Sequence, residues 1–485
     1  MHIAKLLGPE TTPDGGLADV NVTGITADSR AVRPGFLFAA LAGSKTDGAR
    51  FVADAVAKGV VAILAATGAS ISVPLGVAVL RAAEPRRALA LMATRFYGPG
   101  PETIVAITGT NGKTSVAEFT RQIFAACGRQ AASLGTIGIV KPDGGVYGSL
   151  TTPDPVTLAR TLAELRAEGI THLSLEASSH GLDQFRLDGV QLKCAAFNNL
   201  GRDHLDYHPT MEAYLEAKLG LFKRLMQPGQ TVVVNADGAA SVDARKAAET
   251  RGLRIATTGY AGETLKLVKA ERVGFRQLLV IACAGRTFTI DLPLIGDYQA
   301  GNALVAAGLA IACGESPDRA ITAIADLKGV SGRLEVVGEA KGGVAIVDYA
   351  HKPEALAAVL DALRPFATGR LICIFGCGGD RDRGKRPIMG DIAVTKADVV
   401  IVTDDNPRTE APTAVRAEVL SGAKGAREIG DRAAAIREGV RLLGQGDVLL
   451  VAGKGHETGQ IVGDKVLPFS DQEEIMAAIR EAGHG

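Results

Sequence analysis

The chemistry in this chain is concentrated in a few short polar segments that follow apolar runs. Gly109-Thr110-Asn111-Gly112-Lys113-Thr114-Ser115 comes directly after the strand-like run Thr103–Thr108 and opens a helical pattern. In a strand, glycine loop and helix of this kind, backbone N–H groups can close around phosphate oxygens and the helix dipole favours the anion. Lys113 would reach terminal phosphates, and the Thr114 or Ser115 hydroxyl would face Mg²⁺. Strict Walker spacing asks for glycine where this chain has Ile107, so the loop reads as a shortened variant. A glycine turn with a surface lysine is the competing reading.

Glu176 follows Leu173–Leu175 and precedes Ser178, Ser179 and His180. A carboxylate at the carboxyl end of a strand beside a phosphate loop is placed to hold Mg²⁺. A helix cap followed by a solvated loop would use the same residues. His204, Asp206 and His208 alternate as metallohydrolase ligands can, or as any polar loop does. Lys218 stands in a helical pattern with Tyr214, Leu215, Leu219 and Phe222, and the residues alone predict a solvent-facing lysine. Later come FGCGGDRDRGKRP with Arg381, DDNPR with Asp405, Asn406, Pro407 and Arg408, and AGKGHE with Gly453, Lys454, His456 and Glu457. Each follows an apolar run, so the three are expected to converge on one crevice, where acids mixed with arginine suit a zwitterionic ligand.

Strand-like and helix-like runs alternate through most of the chain, which predicts α/β domains with mostly parallel, doubly wound sheets. Gly98–Pro101 reads as a linker, and Lys328–Arg333 marks a second break, after which the alternation restarts as a Rossmann-like series. Expected domains are therefore 1–98, 99–330 and 331–485. Helical spacing after the glycine loop puts Val116, Phe119, Ile123, Phe124 and Cys127 on one buried face. The uncharged stretch Gly59–Leu80 is long enough to span a bilayer, but Gly68, Pro74 and its hydroxyl residues read better as two buried strands joined by a turn.

The chain has 485 residues, 47% hydrophobic and 22% charged, an ordinary globular composition of about three domains. Fifty-three basic residues balance 53 acidic ones, and aromatics are 4% with no tryptophan, which argues against nucleic-acid partners. The six cysteines form no CxxC pair, and the opening MHIAKLLGPE has no apolar run of signal length. A cytoplasmic, reduced protein without a membrane partner is expected, and it is taken as a monomer.

Taken together, ITGTNGKT, LTTPD, EASSHGLDQFR, FNNLGRDHLDYH, EAK, GDYQAGN, SGRLE, DYAHKPEAL, FGCGGDRDRGKRP, DNPR and AGKGHE resemble the Mur ligases of peptidoglycan synthesis over nearly the whole chain. They resemble most the branch that adds meso-2,6-diaminopimelate to UDP-N-acetylmuramoyl-L-alanyl-D-glutamate, using ATP and an acyl-phosphate intermediate. The resemblance implies an N-terminal UDP-binding domain, a central P-loop ATPase and a C-terminal Rossmann-like amino-acid-binding domain. It assigns Gly109, Thr110, Asn111, Gly112, Lys113, Thr114, Ser115, Asn302, Arg333 and Asp348 to ATP. Thr114, Glu176 and His204 become ligands of two Mg²⁺ ions. Lys218 becomes a carbamate formed with CO₂, which requires a neutral amine first. The UDP-sugar peptide would meet Ser29, Ser44, Lys45, Thr46, Thr151, Thr152, Ser178, Gln184 and Arg186, with Ala27 and Leu150 as backbone contacts. Arg381, Asp405, Asn406, Pro407, Arg408, Gly453 and Glu457 would take the amino acid. Lys113, Lys218, Glu176 and His204 are the implied catalytic group. The same ligase adding L-lysine, a folylpolyglutamate synthase-like ligase, and a P-loop switch without ligase activity are the alternatives.

Overall fold

The computed structural model describes residues 1–15, 19–43, 47–146, 151–205 and 207–483. Ser44, Lys45, Thr46, Leu150 and Asp206 lie outside the described residues. Apolar runs form parallel strands and amphipathic runs cover them with helices, as the alternation predicts. The fold is α/β, with three large, mostly parallel sheets among the described residues.

In the first sheet, Ala62–Ala66 and Ala78–Ala82 are buried strands, as expected from Gly59–Leu80, but they run parallel with Ala62 opposite Ala78. A parallel pair needs a longer return than a tight turn. Residues 67–77 make that return. No described helix is long and apolar enough to cross a membrane.

The heart of the second sheet is six parallel strands in the order Arg254–Gly259, Thr231–Asn235, Cys194–Phe197, Thr103–Thr108, His172–Glu176 and Ala131–Gly135. From Thr103–Thr108 the chain first winds toward Ala131–Gly135, and later crosses to Cys194–Phe197 on the other side. The carboxyl end of Thr103–Thr108 is thus the switch point, where open α/β sheets bind ligands. Helix Lys113–Ala126 starts there and buries Val116, Phe119, Ile123 and Phe124, with Cys127 buried as its C-cap.

The third sheet orders Glu335–Ala340, Gly343–Asp348, Val448–Ala452, Leu371–Phe375, Val399–Val402 and Arg427–Glu428. Its four central strands are parallel neighbours, so the segments after Asp348, Phe375, Val402 and Ala452 all leave from one edge. A fully buried ion pair between Arg432 and Asp471 braces that edge, and Arg432 Nη2 also donates to the Ala452 carbonyl at 3.0 Å.

The chain clusters into two compact units. One contains Met1–Val268, Ile281–Phe288 and Gly301–Ile324; the other contains Lys269–Val280, Thr289–Ala300 and Ala325–Gly485.

Candidate active site

Ile107 is fully buried in the strand, paired with Glu176, so the phosphate loop begins only after Thr108. That is the physical form of the shortened spacing. Gly112 caps the helix at φ 80°, and a Cβ there would stand 2.5 Å from both Asn198 Nδ2 and Asn302 Oδ1. Two asparagines therefore press on the loop: Asn198 Nδ2 donates to the Asn111 carbonyl at 3.0 Å and to Asn302 Oδ1 at 2.9 Å. Asn199 Oδ1 accepts the Asn111 N–H at 2.9 Å. Lys113 Nζ donates to the Gly109 and Thr110 carbonyls at 2.9 and 3.0 Å, and Thr114 and Ser115 are buried behind it.

Lys218 corrects the solvent-facing expectation: it is 1% exposed. Its helix, Met211–Gly220, turns it toward the loop, where Nζ donates to the Gly109 carbonyl at 2.8 Å and lies 4.3 Å from the Tyr214 ring centre. Burial, with repulsion from Lys113, holds its pKa well below the usual lysine value, while Asp203 pulls the other way. Burial and that repulsion both weaken its hold on a proton. Tyr214 OH is 3.1 Å from Thr110 Oγ1, and burial pushes its phenol up to about 12. His204 sits in the left-handed region at φ 54°, its ring 6.0 Å from Tyr214 and 4.8 Å edge-on to His180. Tyr214 thus links the loop, Lys218 and His204, although from the sequence it is only a helical neighbour.

Glu176 ends its strand at 1% exposure. Oε1 accepts the Thr136 N–H at 2.7 Å and Oε2 the Thr136 hydroxyl at 3.2 Å. It pairs with no cationic side chain among the described residues, so a buried carboxylate stands beside a phosphate loop without a counter-charge. Such an oxygen donor suits a hard divalent cation. The Thr114 hydroxyl is another oxygen donor, whereas Lys218 as an amine is not. Among the described residues no three His, Cys, Asp or Glu side chains form a ready cation cage.

Thr151, Thr152, Ser178, Gln184 and Arg186 form one network that reaches Glu176. Thr151 Oγ1 is 3.0 Å from Thr136 Oγ1, and Thr152 Oγ1 donates to the Glu176 carbonyl at 2.9 Å and meets Ser178 Oγ at 3.0 Å. Arg186 donates to the Thr152 carbonyl at 2.7 Å and to Gln184 Oε1, and burial lowers its pKa. Ala27 and Ser29 follow strand Gly24–Thr26 of the first sheet, and among the described residues no hydrogen bond joins them to this network.

The second unit carries the other predicted residues. Arg333 lies over the Tyr349 ring at 4.8 Å, and its Nε is buried without a partner among the described residues. Asp348 accepts the Leu334 and Ala350 N–H groups, both at 2.8 Å; burial raises its pKa against the pull of Arg333 and those bonds. Gly453 N–H donates to the Asp348 carbonyl at 3.1 Å.

The three polar segments do converge. Gly379 N–H donates to the Asn406 carbonyl at 2.9 Å, and Arg408 Nη1 donates to the Gly379 carbonyl at 2.8 Å. Asn406 Nδ2 donates to Glu457 Oε2 at 2.9 Å. Arg408 and Asn406 are thereby tied to the loops after Phe375 and Ala452. Among the described residues, every hydrogen bond of the Arg408 guanidinium comes from Nη1, which leaves the Nε–Nη2 edge of its fork. The buried Asp405 carboxylate accepts no side-chain or backbone hydrogen bond among them. Arg381 is exposed, and among the described residues its one hydrogen bond goes to the Asp380 carbonyl at 3.4 Å.

A glycine loop at a helix N-terminus, with the buried Glu176 nearby, lies in one unit, and three converging polar loops lie in the other. Three family models match: the Mur ligase family catalytic domain over residues 21–97, the Mur ligase middle domain over 107–310, and the Mur ligase glutamate ligase domain over 332–455. The chain is 55% identical over 483 residues to a curated protein of Bradyrhizobium diazoefficiens named UDP-N-acetylmuramoyl-L-alanyl-D-glutamate--2,6-diaminopimelate ligase, covering 99% of each. It is 55% identical to the protein of the same name from Rhizobium meliloti, again covering 99% of each chain. A solved structure with that name superposes at a TM-score of 0.70 with 32% identity, covering 96% of each chain. The chain belongs to the Mur ligase family.

Proposed function

We propose that this protein joins meso-2,6-diaminopimelate to UDP-N-acetylmuramoyl-L-alanyl-D-glutamate at the expense of ATP. Arg408, Asp405 and Glu457 on converging loops carry the choice of amino acid. Diaminopimelate brings a distal carboxylate and ammonium group where L-lysine brings only the ammonium. The Nε–Nη2 edge of Arg408 matches that carboxylate in two charge-assisted bonds, and the acids match the ammonium groups. Lysine would leave the Nε–Nη2 edge of the guanidinium unpaired, a mismatch that discriminates strongly.

In the first step a carboxylate oxygen of the D-glutamate residue attacks the γ-phosphorus of ATP, the bond to the β-phosphate oxygen breaks, and ADP leaves. The diaminopimelate amine, as its free base, then attacks the acyl carbon of the acyl phosphate. The tetrahedral intermediate collapses, phosphate departs with the carboxylate oxygen, and the amine proton is lost. Both first-step reactants are anions, so Lys113 and the loop N–H groups screen the transferred phosphoryl group, and positioning supplies the rest. Thr114, Glu176, His204 and the carbamate of Lys218 would hold Mg²⁺. Bound there, Mg²⁺ would neutralise charge building on phosphate oxygens. The depressed basicity of Lys218 supports the carbamate, since CO₂ combines with the neutral amine.

Gly109–Ser115 hold ATP phosphates, with Asn302, Arg333 and Asp348 on the rest of the nucleotide. Thr151, Thr152, Ser178, Gln184, Arg186, Ser29 and Ala27 serve the UDP-sugar peptide, and Arg381 and Gly453 complete the amino-acid site. The three sheets support functional domains at 1–98, 99–330 and 331–485. The protein works as a cytoplasmic monomer on small molecules, with neither nucleic acid nor membrane as a partner; zero net charge supports the former.

Isotope transfer tests the chemistry. With ¹⁸O in the D-glutamate carboxylate, released phosphate is expected to carry one label per turnover. Unlabelled phosphate alongside the tripeptide product would exclude the acyl phosphate.

A further inference from the structure

Lys454 follows Gly453 in the AGKGHE segment, and its side chain is fully buried. An ammonium group has three donors and no acceptor, and stays buried only where its hydrogen bonds are met. Nζ donates to Asn406 Oδ1 at 3.0 Å and to Glu457 Oε2 at 3.1 Å. The Ile461 N–H donates to the same Asn406 oxygen at 2.9 Å. Two donors on one side of the amide fix its orientation, so Nδ2 must face Glu457, where it donates to Oε2 at 2.9 Å. Glu457 Oε2 accepts both bonds. Its Oε1 accepts none among the described residues.

We infer that Lys454 is a positioning residue for the amino-acid substrate. It sets the Asn406 amide, fills Glu457 Oε2, and so leaves Oε1 as the atom offered to a substrate ammonium group. The lysine itself does not touch the substrate. Its charge also offsets the glutamate when the pocket is empty, so the carboxylate keeps its place before binding and the complex forms without reordering it. The inference rests on the amino-acid pocket proposed above.

The test is a double-mutant cycle with Lys454→Met, which keeps a long unbranched side chain and removes the donors, and Glu457→Ala. Wild-type turnover with meso-diaminopimelate comes first: its absence refutes the pocket itself. Given that turnover, K454M is expected to raise KM for diaminopimelate by about tenfold or more, the effect of a lost charge-assisted bond. KM for ATP and for the UDP-dipeptide should stay within about twofold. In the E457A background the same substitution should add less than about twofold, because the group it positions is gone. An unchanged diaminopimelate KM, equal effects in both backgrounds, or a parallel loss for all three substrates would each overturn the inference. Should K454M fail to fold, K454Q carries the same cycle under the same criteria.

Discussion

Arg408 holds an unusual backbone angle for its side chain, φ 53°, and a bridge to Val462 keeps it there. A non-glycine residue in this region costs about 1–2 kcal/mol, which the surrounding loops must offset. Strain of that kind is kept where a side chain must point one way. Arg408→Lys keeps the charge and removes the fork, so KM for diaminopimelate is expected to rise about 10- to 100-fold with KM for ATP unchanged. Steady-state kinetics with each substrate varied in turn reads this; an unchanged diaminopimelate KM would remove Arg408 from the pocket. The placement of Glu176 and of the Arg408 segment at strand ends was legible in the sequence because each segment follows an apolar run. Lys218 was not: helical spacing places it among Tyr214 and Leu219, and only the path of the helix past the Gly109 carbonyl decides that it is buried. Lys454 was visible as a polar residue, but its role depends on Asn406, 48 positions away.

The loops of the third sheet are stiffened from behind. Arg386, at the start of helix Lys385–Lys396, is fully buried between Glu410 and Glu418 and donates to the Gly378 carbonyl at 3.1 Å. Glu410 thus ties the segment after Arg408 to the glycine segment. Hydrogen bonds from Arg386 and from the Asp380 N–H hold its pKa at about 2, against 4.5 for an ordinary glutamate. A folded-state pKa below the unfolded one stabilises the fold above pH about 4.5, and that contribution fades as pH falls toward about 2. Glu410→Gln should therefore lower the melting temperature most at neutral pH, with the gap to wild type closing as pH drops from 5 toward 2. A gap independent of pH would contradict this role. Parallel strands such as Thr103–Thr108 and Leu371–Phe375 were legible because burial on both faces makes them continuously apolar. The strand Leu265–Val273 was not, since its exposed face interleaves lysine, glutamate and arginine with the buried residues.

At the scale of the whole molecule, each compact unit carries part of the chemistry. The first has the phosphate loop, Glu176 and the buried Lys218; the second has Arg408, Asp405, Glu457 and the lysine that orders them. Zero net charge and few aromatics left this division unmarked in composition, and the α/β alternation that restarts after Arg333 does not mark Lys269–Val280 and Thr289–Ala300, which belong to the second unit. A nucleotide-dependent switch would need the first set alone, and a metallohydrolase would need no ATP. The most direct measurement is phosphate release from ATP with Mg²⁺ and UDP-N-acetylmuramoyl-L-alanyl-D-glutamate, comparing meso-diaminopimelate, L-lysine and no amino acid. Release only with diaminopimelate, with a UDP-tripeptide of matching mass, is the expected result. Equal or faster release with L-lysine would contradict the reading of Arg408, and release that ignores the dipeptide would contradict the ligase itself.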